Sequence, residues 1–259
     1  MRVRVKGVAL IGPGLPSWEA ARPILAGKQP WEDAPIQVAV PTALAPRERR
    51  RASPVVRLAL NAASAACADA GLAPEVPACV FASAIGDGTV SHAILSALAG
   101  PDRLISPTHF HNSVHNATAG YWSQAVGSHA ASTSLAAGDS SFGVGLLKAL
   151  LTATVEKHPV LLVVSDYPFP QPLHAHRPIA APLAVALVLM PDEHGNGPVL
   201  TFDGPTGDAV TPVRCAALRP LWEGCPPGRG LPVLEGLLTP ARVVLSGGGE
   251  WRFAVTVSP

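Results

Sequence analysis

The sequence predicts an α/β protein in which helices cover both faces of a sheet, and three observations lead to that prediction. Residues 159–166 (PVLLVVSD) and 182–190 (PLAVALVLM) are almost continuous apolar runs of strand length, as in strands that are covered on both faces. Segments with the spacing of helices alternate with such runs. Of the 259 residues, 48% are hydrophobic and only 14% are charged, which is typical of a globular chain and not of a disordered one.

The first part of the chain predicts one strand and one long helix. Residues 3–11 alternate and then run apolar, so we interpret them as a strand. A signal peptide would need a longer apolar stretch, without the glycine and proline that interrupt this one. A segment that contains proline and glycine follows up to about residue 45. The run 47–51 (RERRR) then opens a helix that ends at Gly71 and Pro74.

Strands and helices continue to alternate up to residue 190. The expected elements are strands at 78–83 and 132–137, and helices at 91–98, within 107–126 and at 142–155. After residue 190 prolines and glycines become frequent, and only short strand-like pieces remain, at 242–245 and 252–257. We therefore expect residues 1–190 to form the layered domain and residues 191–259 to form an extended tail that packs on it.

Composition argues against several classes of protein. The formal net charge is +1, so no overall field favours binding to nucleic acid or to an anionic membrane. No apolar run reaches the roughly 18 residues of a membrane span. The cysteines show no CxxC pair and no regular spacing, which argues against a zinc site or a disulfide framework and favours a cytoplasmic protein. They are Cys67, Cys79, Cys215 and Cys225.

The strongest local motif is the segment 135–142 (LAAGDSSF). It places a turn of small residues between a predicted strand and a predicted helix, and enzymes often hold a nucleophile at such an elbow. After Gly138, the side chains available there are Asp139, Ser140 and Ser141. The helix dipole favours negative charge at this position. The alternative is that Asp139 only caps the helix.

Several blocks in the same order resemble the condensing-enzyme (thiolase-like) superfamily, and in particular its β-ketoacyl synthases. The similarity covers roughly residues 36–190. The blocks ahead of the elbow are Pro46–Arg50, Ala66–Leu72, Phe81–Gly86, Ile105–Pro107, Asn116, Ala119-Gly120, Gly127 and the strand 132–138. This resemblance implies a thiolase-like α-β-α layered half with the C-terminal part reduced to the extended tail.

The departures from the family pattern imply a subunit without catalysis of its own. Aligned without gaps, the family's catalytic cysteine falls on Asp139, and the nearest cysteines are Cys79 and Cys215. A ketosynthase needs a thiolate to accept the acyl chain, and two histidines from its second half. The chain most closely resembles chain-length factors, which lack the cysteine and pair with an active ketosynthase. Short versions accompany the type II polyketide system that makes aryl polyenes.

This resemblance implies two protein partners and no cofactor. A full-length ketosynthase would pair through about residues 107–144, forming a heterodimer whose acyl channel is an apolar tube. An acyl carrier protein would dock electrostatically, for which the cluster 47–51 is a candidate, although a solvated helix start is the simpler interpretation. The residues expected at the channel or the interface are Phe110, Ser113, Asn116, Ala117, Thr118, Tyr121 and Trp122. Which of them faces the channel stays open.

Two enzyme classes remain as alternatives. His109, His111 and His115 lie within the run HFHNSVH, and imidazoles at such spacing can bind zinc. The string 138–140 is also similar to the GDS motif of serine hydrolases. However, it lies in the middle of the chain, and 192–194 (DEH) does not have the spacing of the DxxH motif of those enzymes.

Overall fold

The computed structural model describes residues 1–193 and 197–259. Its eight strands form one sheet in the order β3-β2-β4-β5-β1-β6-β8-β7. The strands are β1 (Arg2–Ile11), β2 (Ala78–Ser83), β3 (Ser132–Ala136), β4 (Val160–Asp166), β5 (Leu183–Pro191), β6 (Val199–Pro205), β7 (Ala241–Gly248) and β8 (Trp251–Ser258). The α-helices are α1 (Trp18–Leu25), α2 (Pro46–Arg51), α3 (Pro54–Ala70), α4 (Gly88–Ala99), α5 (Pro107–Asn112), α6 (Ala117–Val126), α7 (Ser141–Glu156), α8 (Leu173–His176), α9 (Arg219–Gly224) and α10 (Leu231–Leu238).

Helices cover both faces of the sheet, which confirms the predicted α/β layers. On one face α3 and α6 bury residues such as Phe81, Leu161 and Val163. On the other face α7 and α10 bury the alternate strand residues, such as Leu162 and Val164. All seven residues of β4 are buried, because side chains of both orientations meet a helix layer.

The sheet is parallel only at one end. There β2 lies between β3 and β4 and is parallel to both. The pairings β4–β5, β5–β1, β1–β6, β6–β8 and β8–β7 are antiparallel. The carboxyl ends of the three parallel strands therefore point the same way, and loops that follow them meet at one rim of the sheet.

The predicted long helix from residue 47 is two helices. Helix α2 stops at Arg51, and α3 begins only at Pro54. A residue that precedes proline is driven out of the helical region, and Ser53 is accordingly extended, at φ −69° and ψ 164°. Its hydroxyl accepts a hydrogen bond from the Val56 N–H, so Ser53 caps the second helix. The predicted end at Gly71 is confirmed, with a left-handed φ of 62°.

The prediction of an extended tail is wrong. Strands β6, β8 and β7 extend the same sheet, and β6 pairs directly with β1 across the predicted boundary at residue 190. The prolines that suggested an extended segment instead lie in first turns of short helices, where a missing N–H costs nothing, as Pro220 and Pro232 do. Part of the predicted turn cluster 192–198, including His194, lies outside the described residues.

The two edges of the sheet differ in how they are covered. Among residues 1–193 and 197–259, β3 has β2 as its only neighbouring strand. At the other edge, the Thr211 N–H donates to the Val244 carbonyl (3.0 Å), and the Val244 N–H donates to Thr211 Oγ1 (2.8 Å). The segment around Thr211 thus covers β7. No helix in the described part of the chain is long and apolar enough to cross a membrane.

Candidate functional site: the elbow and the adjacent cleft

The predicted elbow is present between β3 and α7. A single 3₁₀ turn, Gly138–Ser140, connects the two elements. Gly138 has a φ of +56°, which a residue with a side chain adopts only at a cost, and its N–H donates to the Ala84 carbonyl (3.1 Å). This bond fastens the elbow to the segment that follows β2, and it places Asp139 at the rim of the sheet.

Asp139 makes an ion pair with Arg177 and does not cap the helix. Its two carboxylate oxygens accept from the two terminal nitrogens of Arg177, at 2.7 and 3.3 Å. Helix α7 has no side-chain cap, so the alternative of a capping Asp139 is wrong. The hydrogen bond to Asp139 raises the pKa of Arg177 further. The physical reason for the difference is that the Arg177 guanidinium offers a bidentate partner, which a carboxylate binds more strongly than one backbone N–H.

A second carboxylate, that of Asp166, holds the segment that follows β2. Asp166 ends β4, is 1% exposed, and accepts the Ala84 N–H with both oxygens, at 2.9 and 3.2 Å. Burial raises the pKa of Asp166 to about 7, although the Ala84 N–H and the Arg177 charge act in the opposite direction. Asp166 therefore fixes the start of the turn after β2.

The two serines of the elbow hydrogen-bond to other groups than histidine. Ser140 Oγ lies 2.7 Å from Ser246 Oγ. Ser141 is fully buried, and its hydroxyl reaches the Ser83 and Gly138 carbonyls, both at 2.7 Å. In the described residues neither hydroxyl is bonded to a histidine, so the geometry of an activated serine is not present there.

The buried cysteines are protonated thiols, and none of them is part of the elbow. Burial raises the pKa of Cys67 and of Cys225 to about 11, and that of Cys79 to about 12. A thiol with such a pKa carries almost no thiolate at neutral pH. These three thiols are therefore not activated as nucleophiles.

A cleft of about 120 Å³ opens beside the elbow, on the face of the sheet that carries α3 and α6. It lies at the carboxyl ends of the parallel strands, between the turn after β2 and the junction of α5 with α6. Three of the predicted channel residues line it: Ser113, Ala117 and Thr118. Asn116 and Tyr121 line a shallower depression next to it.

The predicted aromatic residues have three different environments. Trp122 is 2% exposed and packs in the core under α3. Tyr121 is also buried, and its hydroxyl donates to the Asn112 side chain at 3.0 Å. Neither can project from the surface as an interface anchor, because both fill the core of this chain. Phe110, by contrast, is 70% exposed.

Four further residues of the site were not predicted from the sequence: Ser134, Ser165, Asp166 and Arg177. Asp166 follows a continuous apolar strand, and an acidic residue at the end of a buried strand could have indicated it. Arg177 has no such local indication, because it is 38 residues away from Asp139.

The histidine alternative finds no support in the geometry. Among residues 1–193 and 197–259, no three His, Cys, Asp or Glu side chains are placed to hold one metal ion. His109, His111 and His115 are part of α5 and the loop after it, and they do not converge with a carboxylate. His194 of the proposed hydrolase motif lies outside the described residues.

Comparison with known proteins gives the same family as the motifs. The family model of the β-ketoacyl synthase N-terminal domain matches residues 20–214, a longer stretch than the resemblance noted at 36–190. No curated protein matches the chain.

Solved structures share the fold over the whole chain. A chain of the ketosynthase ApeO in complex with its chain length factor ApeC, from Xenorhabdus doucetiae, is 25% identical, with a TM-score of 0.72 and 99% of both chains covered. The ishigamide ketosynthase/chain length factor is 14% identical, with a TM-score of 0.69 and coverage of 99% of this chain and 98% of that one. A β-ketoacyl synthase from Burkholderia phymatum STM815 is 17% identical, with a TM-score of 0.63 over 86% of this chain and 70% of that one.

The mixed α/β fold of this chain, with helices on both faces of a central sheet, matches these thiolase-like structures. The family model spans most of the chain and includes the elbow, the cleft and the strand β3. The chain belongs to the β-ketoacyl synthase N-terminal domain family.

Proposed function

We propose that this chain is a chain-length-factor-like subunit, which pairs with an active ketosynthase and completes its acyl channel. The observation that carries the proposal is the uncovered edge of β3 next to the elbow. Natural proteins protect sheet edges with charges, prolines or a covering segment. Strand β3 (STSLA) contains neither a charge nor a proline, and its first and last residues are exposed. A strand of a partner subunit would satisfy its free backbone groups.

Exposed apolar side chains between residues 85 and 114 support the same interface. Six of them lie between residues 85 and 114, on the turn after β2, on α4 and around α5: Ile85, Leu95, Leu98, Leu104, Phe110 and Val114. Ile85 and Val114 also line the cleft that Ser134 of β3 borders. Monomeric proteins rarely expose so many large apolar side chains in one region, whereas obligate interfaces are rich in them and commonly bury more than ~2,000 Å².

The proposed subunit does not catalyse condensation. The family's catalytic position carries Asp139, which is held by Arg177. A carboxylate in a bidentate ion pair is a poor acceptor for an acyl group, and the buried thiols cannot replace it. Intact-protein mass spectrometry after incubation with an acyl carrier substrate should therefore show no acyl adduct on this chain. An adduct on Ser140 or Ser141 would instead support the serine hydrolase.

The cleft supports a role in shaping the channel. Its volume of about 120 Å³ is below the roughly 300–1,000 Å³ of sites that enclose a small ligand. It can hold only part of an acyl chain, so most of the tube would have to come from the ketosynthase. Ala117 and Thr118, at the start of α6, line this cleft.

Helix α2 supports docking of an acyl carrier protein. Arg49 is engaged with the Leu44 and Thr42 carbonyls, and Arg51 lies 3.7 Å from Glu48. In the described residues, Arg47 and Arg50 are exposed and have no carboxylate partner. Two free guanidinium groups suit the acidic helices of a carrier protein.

We also propose the pathway and the location. Similar solved structures are ketosynthase and chain length factor complexes, and the one at 25% identity matches a chain of nearly the same length. This supports a type II polyketide system. We assign the aryl polyene branch on the resemblance to chain length factors of that system, and the cytoplasm as the site of synthesis.

The test of pairing is co-expression with the ketosynthase of the same organism, followed by size-exclusion chromatography. We expect a stable heterodimer that elongates carrier-bound acyl chains. A soluble monomer that does not bind the ketosynthase, and that hydrolyses esters without it, would contradict the proposal.

Product length tests the channel role. Ala117→Phe fills the cleft and should shorten the products that mass spectrometry detects. Ala119→Phe is the control, because Ala119 is buried in the core of the same helix and does not line the cleft. The control should lower yield by overpacking, at a cost of about 1–3 kcal/mol, without changing length. If the two variants gave products of the same length distribution, the cleft would not be part of the acyl channel.

A further inference from the structure

A buried carboxylate beside the elbow has few hydrogen-bond donors. Asp166 is 1% exposed, and the Ala84 N–H, shared between its two oxygens at 2.9 and 3.2 Å, is the single donor that the described residues offer it. An ionised carboxylate can accept about four hydrogen bonds, and a charge without partners is costly to bury. The neutral form of Asp166 therefore suits these surroundings, whereas the ionised form needs a further donor or a cation.

The cation whose charge acts on Asp166 is the guanidinium of Arg177. A second arginine, Arg229, lies on the segment Pro226–Gly230, which packs on β4, but its guanidinium is stacked over the ring of Trp222 at 4.5 Å. Arg177 is therefore the side chain that can supply the missing partner.

The carboxylates of Asp139 and Asp166 are linked through one residue, Ala84. The Ala84 N–H donates to Asp166, and the Ala84 carbonyl accepts the N–H of Gly138, which precedes Asp139, at 3.1 Å. Arg177 binds Asp139 with its two terminal nitrogens, at 2.7 and 3.3 Å. A guanidinium carries five N–H groups in a planar fork, so a turn of this side chain can exchange one carboxylate for the other.

The two carboxylates differ in exposure, and this difference decides which of them Arg177 prefers when both are ionised. The side chain of Asp139 is 58% exposed, so water screens its attraction to Arg177. Asp166 is buried, where the same charge attracts a cation more strongly. Once ionised, Asp166 is therefore the stronger partner for the arginine.

The ionisation of Asp166 falls within an accessible range of pH. Burial raises its pKa to about 7; the Ala84 N–H and the Arg177 charge lower it, and the Asp139 charge raises it. The thiol of Cys225, which also lies within electrostatic range, has its pKa raised to about 11 by burial and adds no charge at neutral pH. Asp166 is therefore mostly neutral at pH 5 and mostly ionised at pH 9.

We propose that Arg177 moves from Asp139 to Asp166 when Asp166 loses its proton to the solvent. In acid, Arg177 neutralises Asp139 at the elbow. In base, Arg177 neutralises Asp166, and Asp139 becomes a free carboxylate at the position where the family has its catalytic cysteine. The charge at the elbow thus depends on the protonation of a buried group. This device lies within the chain itself and does not rest on the proposed function.

Nuclear magnetic resonance on the full-length chain, labelled with ¹³C and ¹⁵N, tests the exchange. The Nε–Hε signal of Arg177 and the carboxyl carbon of Asp166 are followed from pH 5 to pH 9, and we expect both to shift with a shared midpoint of about 7. Asp166→Asn should abolish the shift of the Arg177 signal. Asp69→Asn is the matched control, because Asp69 also accepts a backbone N–H, that of Val8 at 2.8 Å, but is not part of the elbow. It should leave the midpoint unchanged.

Asp139→Asn tests the exchange from the other side and keeps the wild-type Asp166, so it serves even if Asp166→Asn does not fold. The variant removes the competing carboxylate, so Arg177 becomes available to Asp166. The midpoint of the Asp166 titration should then fall by at least about half a pH unit.

The contrary outcomes are distinct. An Arg177 signal that stays constant while Asp166 titrates would show that the arginine remains with Asp139. A shift that persists in Asp166→Asn would assign the titration to another group, such as a histidine. An unchanged or higher midpoint in Asp139→Asn would show that the two carboxylates do not compete for Arg177. Each of these results would overturn the inference.

Discussion

At one edge of the sheet β7 is bonded to the segment around Thr211, whereas at the other edge β3 has no neighbour beyond β2 among the described residues. The covered edge also carries charge, since Arg242 pairs with Asp208 at 2.9 Å. Three consecutive residues of β7, Val243 to Leu245, are buried, but no residue of β3 is.

The comparison shows that the chain covers the edge of the sheet at β7 and leaves the edge at β3 free to pair with another subunit. Charges and a covering segment prevent a further strand from pairing with β7. Their absence at β3, together with the exposed apolar residues between 85 and 114, is typical of a surface that another subunit covers. Substitutions near the uncovered edge, compared with substitutions at other positions, test this difference.

The largest expected effect concerns Asp166, which ends the interior strand β4 near the elbow. Asp166 is buried under the turn after β2, and its pKa of about 7 lies above the roughly 3.9 of an unfolded chain. The folded state therefore binds this proton more tightly, so the contribution of Asp166 to stability is full below about pH 4 and is lost as the pH rises through 7.

Asp166→Asn keeps an acceptor for the Ala84 N–H but cannot ionise. The free energy of unfolding of the variant, relative to wild type, should rise by on the order of 4 kcal/mol between pH 4 and pH 8. Denaturant titrations at several pH values measure it. A difference between the two proteins that does not change with pH would show that the carboxyl is not perturbed.

The next effect concerns the exposed apolar side chains between residues 85 and 114. Phe110→Asp should weaken binding to the ketosynthase by about 2–4 kcal/mol, or at least about 30-fold in Kd, as for a central apolar interface residue. Val155→Asp is the matched control, because Val155 is 69% exposed and Phe110 is 70% exposed, while Val155 lies on α7 outside the 85–114 region. Calorimetry on both variants makes the comparison. If both variants lost the same affinity for the ketosynthase, or neither lost any, the 85–114 region would not be part of the interface.

A smaller effect is expected from the backbone of β3 itself. The Cys79 N–H donates to the Ala131 carbonyl, and Cys79 is in register with Ser132, so in a parallel ladder the Ser132 N–H points away from β2. Ser132→Pro removes only that outward donor, which edge strands tolerate, and the isolated chain should stay folded. Affinity for the ketosynthase should fall about tenfold. Ser132→Ala keeps the N–H and should bind normally; a similar loss in both variants would argue against strand pairing.

The smallest effect is at the elbow. Asp139 is 58% exposed and does not cap α7, so Asp139→Ala should cost no more than about 1 kcal/mol of stability through the lost ion pair with Arg177. Asp139→Asn should retain the activity of the heterodimer. Loss of turnover with an intact heterodimer would show that the carboxylate has a chemical role.

Apolar pattern and turn chemistry allowed most of the layered part to be predicted from the sequence. Strand β2 was predicted with its bounds, and β4 and β5 within one residue, because buried strands leave continuous apolar runs. The elbow was predictable because its small residues lie between a strand and a helix. The packing of residues 191–259 was not predictable, since proline and glycine mark both extended segments and the ends of short helices, and only the fold distinguishes the two cases.

The site was predictable only where its residues are local. Asp139 follows from the motif, but its partner Arg177 lies 38 residues further along the chain, and Ser134 and Ser165 reach the cleft from β3 and β4, on either side of β2. Tyr121 and Trp122 show the same limit, because an aromatic residue near an expected interface can equally fill the core, and here both do.

Hydrogen–deuterium exchange of the two edge strands, with and without the ketosynthase, tests the central claim most directly. In the free chain, the amides in 132–136 that point away from β2 should exchange much faster than those of β7. Binding of the ketosynthase should slow exchange in 132–136 by at least about tenfold, while 241–248 stays as it was. A complex that forms without protecting β3, or that protects β7 instead, would contradict the proposal that the uncovered edge is the pairing surface.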